Sequence, residues 1–204
     1  YRAALKISEL KGVNVLPYAV HVKGVEVGAH GTRSDENYTH DICYACSVQG
    51  GDHTSTIEDA YDDMATVFRD SAVYCAIISW GDELNGLDWK FLRAVTGWNT
   101  TEEEWKRELG HRIIHIQRAA ELLGGPDISW KPPKDDDNPL RFYEPLPTGP
   151  YKGLTTDRDV VERRRKEYYD AIGWDEKGIP KSSVLKKLNL LDVDKAIDRI
   201  RQSQ

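Results

Sequence analysis

The chain has 204 residues and a mass of 23.2 kDa, enough for one domain of fair size or two small ones around a real hydrophobic core. Its net charge of −6 supplies no basic footprint, which excludes nucleic acid as an expected partner. No run approaches the roughly eighteen apolar residues that a membrane span needs.

Apolar residues make up 39% of the chain and charged residues 30%, but six tryptophans and ten tyrosines argue for folded structure over disorder. Three cysteines, an odd number, with no secretory pattern predict a reducing, cytoplasmic setting.

The segment Tyr1–Val27 is mixed, with an apolar run over Val13–Val22, then Lys23-Gly24-Val25-Glu26 and the turn-prone Gly28–Asn37. Tyr38–Ser55 has neither helical nor strand periodicity, so something other than its own hydrophobic pattern must hold it in place. Ile57, Tyr61, Met64 and Phe68 then recur at spacings of three and four, which predicts one helix face. From Ala72 to Trp80 the apolar residues are broken only by Ser79, which predicts a buried helix or the wall of a cavity.

A helix is predicted over Leu87–Val95, closing at Gly97. Thr100 with Glu103, or Thr101 with Glu104, forms a capping box at the next helix start. Trp105, Leu109, Ile113, Ile116, Ala120 and Leu123 continue as an apolar stripe until Gly124-Gly125. Pro126–Gly153 carries seven prolines and the run Asp135-Asp136-Asp137, the composition of an irregular loop wrapped over the surface. Asp157–Ile172, capped by Gly173, and the shorter Ser182–Leu190 and Asp192–Ile200 are the last helices. Gly97-Trp98 and Gly173-Trp174 share a punctuation in which a tryptophan covers the end of a helix stopped by glycine. The class is mainly α.

Three groups of residues carry possible chemistry. Cys43-Tyr44-Ala45-Cys46, with Cys75 farther on and His40 or His53 nearby, could complete a four-ligand zinc site or run dithiol chemistry. Alternatively, Cys43 and Cys46 are small buried core residues, as cysteines often are. Asp70 stands five residues before Cys75 at the mouth of the apolar run. If hidden there it needs hydrogen-bond donors, such as those of a nitrogen-rich cofactor, and otherwise it is a surface residue ending a helix face. His53 follows Gly50-Gly51-Asp52, where glycines let backbone approach a ligand and a histidine suits proton transfer near neutral pH. The plain alternative is a turn with a solvent-facing histidine. Lys23, Glu26 and Arg33 read as ordinary surface charges, and His111 and His115 as structural.

In order along the chain, Lys23-Gly24-Val25-Glu26, Arg33, Gly50-Gly51-Asp52-His53 and Asp70-Ser71-Ala72-Val73-Tyr74-Cys75 resemble motifs of the aldehyde ferredoxin oxidoreductase family of tungsten-pterin enzymes. The hexapeptide from Asp70 is similar to that family's D-x-x-G-L-C signature. Thr96-Gly97-Trp98, Leu109–Ile113, Pro147–Pro150 and Tyr168-Tyr169 through Gly173-Trp174 follow its C-terminal pattern, so the resemblance spans about Lys23 to Leu190.

The resemblance implies an irregular, mainly α fold matching the C-terminal part of such an enzyme, with the N-terminal pterin-binding domain absent. Its expected parts are an irregular cofactor-proximal segment 1–55, a helical core 56–125, a proline-rich loop 126–156 and terminal helices 157–204. It implies that Asp70 hydrogen-bonds a pterin, that the Tyr74 backbone lies against it, and that Cys75 is the fourth thiolate of a [4Fe-4S] cluster. The other three thiolates would come from an upstream motif outside this chain. His53 would exchange the proton beside tungsten (or molybdenum in an analogue), and Ser55 stands where many members carry a pterin-contacting lysine. The implied reaction oxidises an aldehyde to a carboxylic acid. The implied partners are the upstream portion of the enzyme, ferredoxin or an iron-sulfur subunit, and a small aldehyde or acid substrate. Val73 in place of the signature glycine predicts crowded or shifted backbone near the pterin. A zinc or redox protein using Cys43, Cys46 and Cys75, or an inert helical interaction module, are the rival readings.

Overall fold

The computed structural model describes residues 1–28, 32–33, 42–52, 67–75, 86–124 and 130–203. α1 (Arg2–Lys11) ends at Gly12 and buries none of its residues. A single 3-10 turn at Leu16–Tyr18 leads into an antiparallel hairpin of β1 (His21–Val22) and β2 (Val25–Glu26), with His21 opposite Glu26 and Val22 opposite Val25. Lys23 and Gly24 form its turn with φ 46° and 82°, the paired left-handed conformation that suits a two-residue hairpin.

α2 (Leu87–Thr96) closes on Gly97, and its Trp89 is buried. α3 (Glu102–Glu104) starts from a complete capping box: Glu104 N–H donates to Thr101 Oγ1 at 3.2 Å, and Thr101 N–H donates to Glu104 Oε2 at 2.9 Å. A π-helical stretch, Trp105–Leu109, joins it to α4 (Gly110–Leu123). A π turn holds about one residue more than an α turn, so everything after it rotates by one position. The buried face of α4 is therefore Gly110, Ile114, His115, Arg118, Ala119 and Leu122. The stripe extrapolated from Trp105 at α spacing is corrected: Ile116 and Leu123 on that line are exposed.

α5 (Arg158–Ile172) is capped by Asp157, whose carboxylate accepts from the N–H groups of Asp159 and Val160, and it ends at Gly173. α6 (Ser182–Lys187) and α7 (Leu191–Ser203) follow. Among the described residues no helix is long and apolar enough to cross a membrane.

Among the described residues two main cores result. The first stacks Phe68 on Trp89 at 3.9 Å between ring centroids, sets Trp105 edge-on to Phe68, and is closed by Tyr169, Ile172 and Trp174. The second joins Ala119 and Leu122 of α4 to Leu185, Leu188 and Ile197. A small third cluster seats Val22 and Tyr44 against Phe142.

Several expectations change here. Trp174 is 1% exposed and covers its helix end as expected, but Trp98 is 58% exposed and covers nothing in this chain's core. The described part of the proline-rich segment is more than a surface wrap, because Asp136, Asn138 and Phe142 are buried. Of the run Ala72–Trp80, expected as a buried helix or the wall of a cavity, the described residues Ala72, Val73 and Cys75 are exposed and Tyr74 is half-buried, with Asp70 exposed just ahead of them, and positions 76–80 lie outside the described residues. The cause is the way the chain leaves its helix at that point.

Candidate cofactor-binding site

The helical residues 67–72 end in a Schellman closure. Val73 N–H donates to the Asp70 carbonyl and Tyr74 N–H to the Arg69 carbonyl, both at 3.3 Å, and Val73 has φ 58°. The chain stops two other helices in the same way. Trp174 N–H reaches the Tyr169 carbonyl at 2.7 Å across Gly173, and Leu190 N–H reaches the Leu185 carbonyl at 2.8 Å across Asn189. Gly173 and Asn189 take φ 91° and 56°. Glycine and asparagine are the residues that tolerate this conformation, whereas a β-branched side chain costs about 1–2 kcal/mol there.

The signature's glycine thus has a backbone role that needs no ligand, and Val73 keeps the shape at a cost in strain. The Val73 side chain itself stands away from this chain's fold, 89% exposed. Tyr74 turns back into the fold instead. Its ring meets Phe68 edge-on at 6.3 Å, and its hydroxyl donates to Asp88 Oδ2 at 3.0 Å. Burial, together with that hydrogen bond, pushes the hydroxyl pKa up to about 12. With Tyr74 as the anchor, Asp70 and Cys75 are presented at the surface from either end of one turn.

Residues 42–52 lie alongside. Ile42 to Ser47 form a tight turn with exposures of 1% or less, which explains why an aperiodic stretch can be rigid. Lys23 Nζ donates to the Ala45 carbonyl at 2.9 Å. Past the turn, Gln49 N–H donates to Ser47 Oγ at 3.0 Å, and Gln49 Nε2 donates to Asp70 Oδ2 at 3.1 Å. Gly50 and Gly51 are pressed against the hairpin. A Cβ on Gly51 would stand 2.4 Å from the Val25 carbonyl oxygen, and one on Gly50 would stand 2.8 Å from Val25 Cβ. In this chain the glycine pair therefore serves close approach of its own β2 backbone, where approach to a ligand was the expected reason. The Lys23–Glu26 motif and the Gly50-Gly51 motif are two sides of one contact. His53, Ser55 and His40 lie outside the described residues.

Cys43 and Cys46 are fully buried, as in the plain reading of small core residues, while Cys75 is exposed. Burial, reinforced by Asp136, pushes the Cys46 thiol pKa well up, which favours the thiol over the thiolate. Among the described residues no three His, Cys, Asp or Glu side chains gather as a metal group. Any cluster on Cys75 would take its other ligands from outside them.

Behind the turn sits a buried ionic network. Lys23 Nζ meets Asp136 Oδ1 at 2.8 Å and Glu121 Oε1 at 3.4 Å. Arg118 grips Asp136 at 2.5 and 3.1 Å, meets Glu121 at 2.6 Å, and donates from Nε to the Gly178 carbonyl at 3.0 Å. The Tyr169 hydroxyl also donates to Asp136, and Arg165 donates to the Asp136 backbone carbonyl at 3.0 Å. Burial favours a protonated Asp136, but Arg118 and Lys23 outweigh it and hold the carboxyl well below the usual carboxylate range. Lys23, expected as a surface charge, is instead buried together with Asp136, and its other carboxylate partner, Glu121, is half-buried. Local pattern passes over Arg118 and Asp136 for similar reasons: one sits in a helix stripe shifted by the π turn, the other in a run of three aspartates.

The fold and this surface define a helical domain that holds an Asp-to-Cys helix cap at its surface, buttressed by a hairpin and an ionic core. The chain belongs to the aldehyde ferredoxin oxidoreductase family: the family model described as "Aldehyde ferredoxin oxidoreductase, domains 2 & 3" matches residues 1–190. It is also 51% identical over 206 residues to the "Aliphatic sulfonate oxidoreductase, WOR-like subunit" of Pyrococcus furiosus. That alignment covers 99% of this chain and 33% of the relative, so the chain spans a third of the length of the protein it matches.

Proposed function

We propose that this chain is a cofactor-holding part of a tungsten-pterin (or molybdenum-pterin), [4Fe-4S]-dependent oxidoreductase that oxidises small aldehydes to carboxylic acids and passes electrons to ferredoxin. The observation that carries the reading is the Asp70–Cys75 cap. It puts a carboxylate and a thiol at the surface from one turn, the first suited to accept from ring N–H groups and the second to ligate iron. Bound there, the metal-pterin group would accept the electron pair and the cluster would release it in single-electron steps.

In balance, aldehyde and water become carboxylic acid, two protons and two electrons, and two one-electron carriers are reduced. The chain's own residues do the holding and the proton work. Asp70 accepts hydrogen bonds from the pterin, with Tyr74 fixing the turn that aims it. Cys75 supplies one cluster thiolate, and the remaining thiolates come from the portion of the enzyme outside this chain. His53 exchanges the proton at the substrate, and Ser55 completes the pterin side of the pocket.

A second reading of the substrate is favoured by the name of the 51% identical relative, which points to an aliphatic compound carrying a sulfonate. The test is made on the protein assembled with its partner portion. Dye-linked oxidation of plain aliphatic aldehydes and of their sulfonated counterparts is measured, with iron, tungsten and pterin content, for the native protein and Cys75→Ala. Turnover of an aldehyde and loss of the cluster signal in Cys75→Ala at an unchanged melting temperature are expected. Turnover confined to the sulfonated substrates would select the second reading. A full cluster in Cys75→Ala, or a full tungsten complement without turnover of either class, would overturn the proposal.

A further inference from the structure

The geometry points to Gln49 as a positioning residue for the pterin, acting through Asp70. The inference rests on the reading of Asp70 as the pterin-holding carboxylate and adds a residue that no motif of the resemblance contains.

The Gln49 side chain donates from Nε2 to Asp70 Oδ2 at 3.1 Å, across 21 positions of sequence. Its amide oxygen turned the same way would face a carboxylate and be repelled, so the amino group is the end that meets Asp70. Among the described residues Oδ1 of the same carboxylate has no partner, which leaves it for an incoming donor. One oxygen is therefore fixed by the protein and the other offered to the ligand, and the carboxylate plane is set before the ligand arrives.

Gln49 can do this because it is itself held. Its N–H bonds to Ser47 Oγ, Ser47 is fully buried, and Lys23 ties the preceding Ala45 carbonyl to the ionic core. The two residues that follow it, Gly50 and Gly51, are pressed against the hairpin. Gln49 stands at the outer edge of this rigid block, with Asp70 arriving from a separate helix. An isolated surface hydrogen bond contributes little, but one whose two ends are both fixed loses little entropy on forming.

The assembled protein carrying Gln49→Leu, Gln49→Glu or Asp70→Asn is purified, and pterin and iron per chain are measured with the melting temperature. Gln49→Leu is expected to lower retained pterin about threefold to tenfold, the effect of one lost hydrogen bond, with iron and melting temperature unchanged. Gln49→Glu keeps the length of the side chain but sets a second carboxylate against the first, so it lowers pterin further than Gln49→Leu. A packing role would give the opposite order, since the isosteric change would be the milder one, and that order overturns the inference. Native pterin content in both Gln49 variants, with loss in Asp70→Asn, overturns the inference and leaves the reading of Asp70 standing. Native content in all three overturns both.

Discussion

Lys23 and Asp136, 113 residues apart in the chain, meet at 2.8 Å inside the protein, and neither side chain is more than 2% exposed. One comes from the turn of a two-stranded hairpin and the other from a proline-rich loop. Their contact fastens the hairpin, the Cys43–Cys46 turn and α4 to α5, because Arg118, Glu121 and Tyr169 share the same carboxylate cluster. Gln49, at the outer edge of this block, donates to Asp70 Oδ2 at 3.1 Å.

Asp136→Asn is expected to destabilise the fold by about 3–5 kcal/mol, since it leaves Lys23 and Arg118 buried without their shared anion. The acid response has a defined sign. Asp136 has a folded pKa below its unfolded value of about 3.9, so its contribution is complete above that pH and is lost as the pH falls toward the folded pKa. Urea unfolding from pH 7 down to pH 2 should show native stability dropping below about pH 4. The drop should be shallower in Asp136→Asn. Equal slopes in the two proteins would contradict the role given to this carboxylate.

Val73→Gly should stabilise the chain by about 1 kcal/mol. The substitution removes the left-handed penalty of a β-branched residue, partly offset by the extra freedom of glycine in the unfolded chain. Nothing is lost in packing, because the valine side chain is almost wholly in solvent. Chemical denaturation midpoints of the two proteins decide it, and a lower midpoint for Val73→Gly would show that the valine makes a contribution its exposure denies.

Gly51→Ala should cost about 2 kcal/mol or more, since the new methyl group meets the backbone of β2, the Val25 carbonyl oxygen at 2.4 Å and that of Glu26 at 2.5 Å. Backbone cannot step aside as a flexible side chain would. Gly51 has no left-handed φ to complicate the result, so the effect reads steric approach alone. A thermal melt within experimental error of the native protein would mean that hairpin and loop are not in contact in solution.

Helices with their own punctuation are legible from the residues alone. Leu87–Thr96 with Gly97, the Thr101–Glu104 box, and Asp157 ahead of the helix ending at Gly173 all stand where local signals put them. The reason is that a cap satisfies its hydrogen bonds within a few residues, so its whole cause is local. The stripe of α4 falls one position away from its expected line because a π turn leaves no composition mark. Apolar content over Ala72–Cys75 suggests a core, whereas a left-handed cap at Val73 turns the chain outward. The Asp70, Cys75 and glycine-pair motifs are legible as a family likeness, but the purpose of the glycines is not, because their neighbour lies elsewhere in the sequence.

What the amino-acid order determined by itself is the mainly helical class, most helix boundaries and the residues that could carry chemistry. Each depends on periodicity or on bonds closed within a turn. Tertiary structure alone decided that Lys23 and Asp136 are interior, that Gly51 abuts β2, and that Gln49 reaches Asp70. Those facts follow from the meeting of distant segments. Whether a charge is buried beside its opposite or left in water depends on which segment packs over it, and no local pattern encodes that.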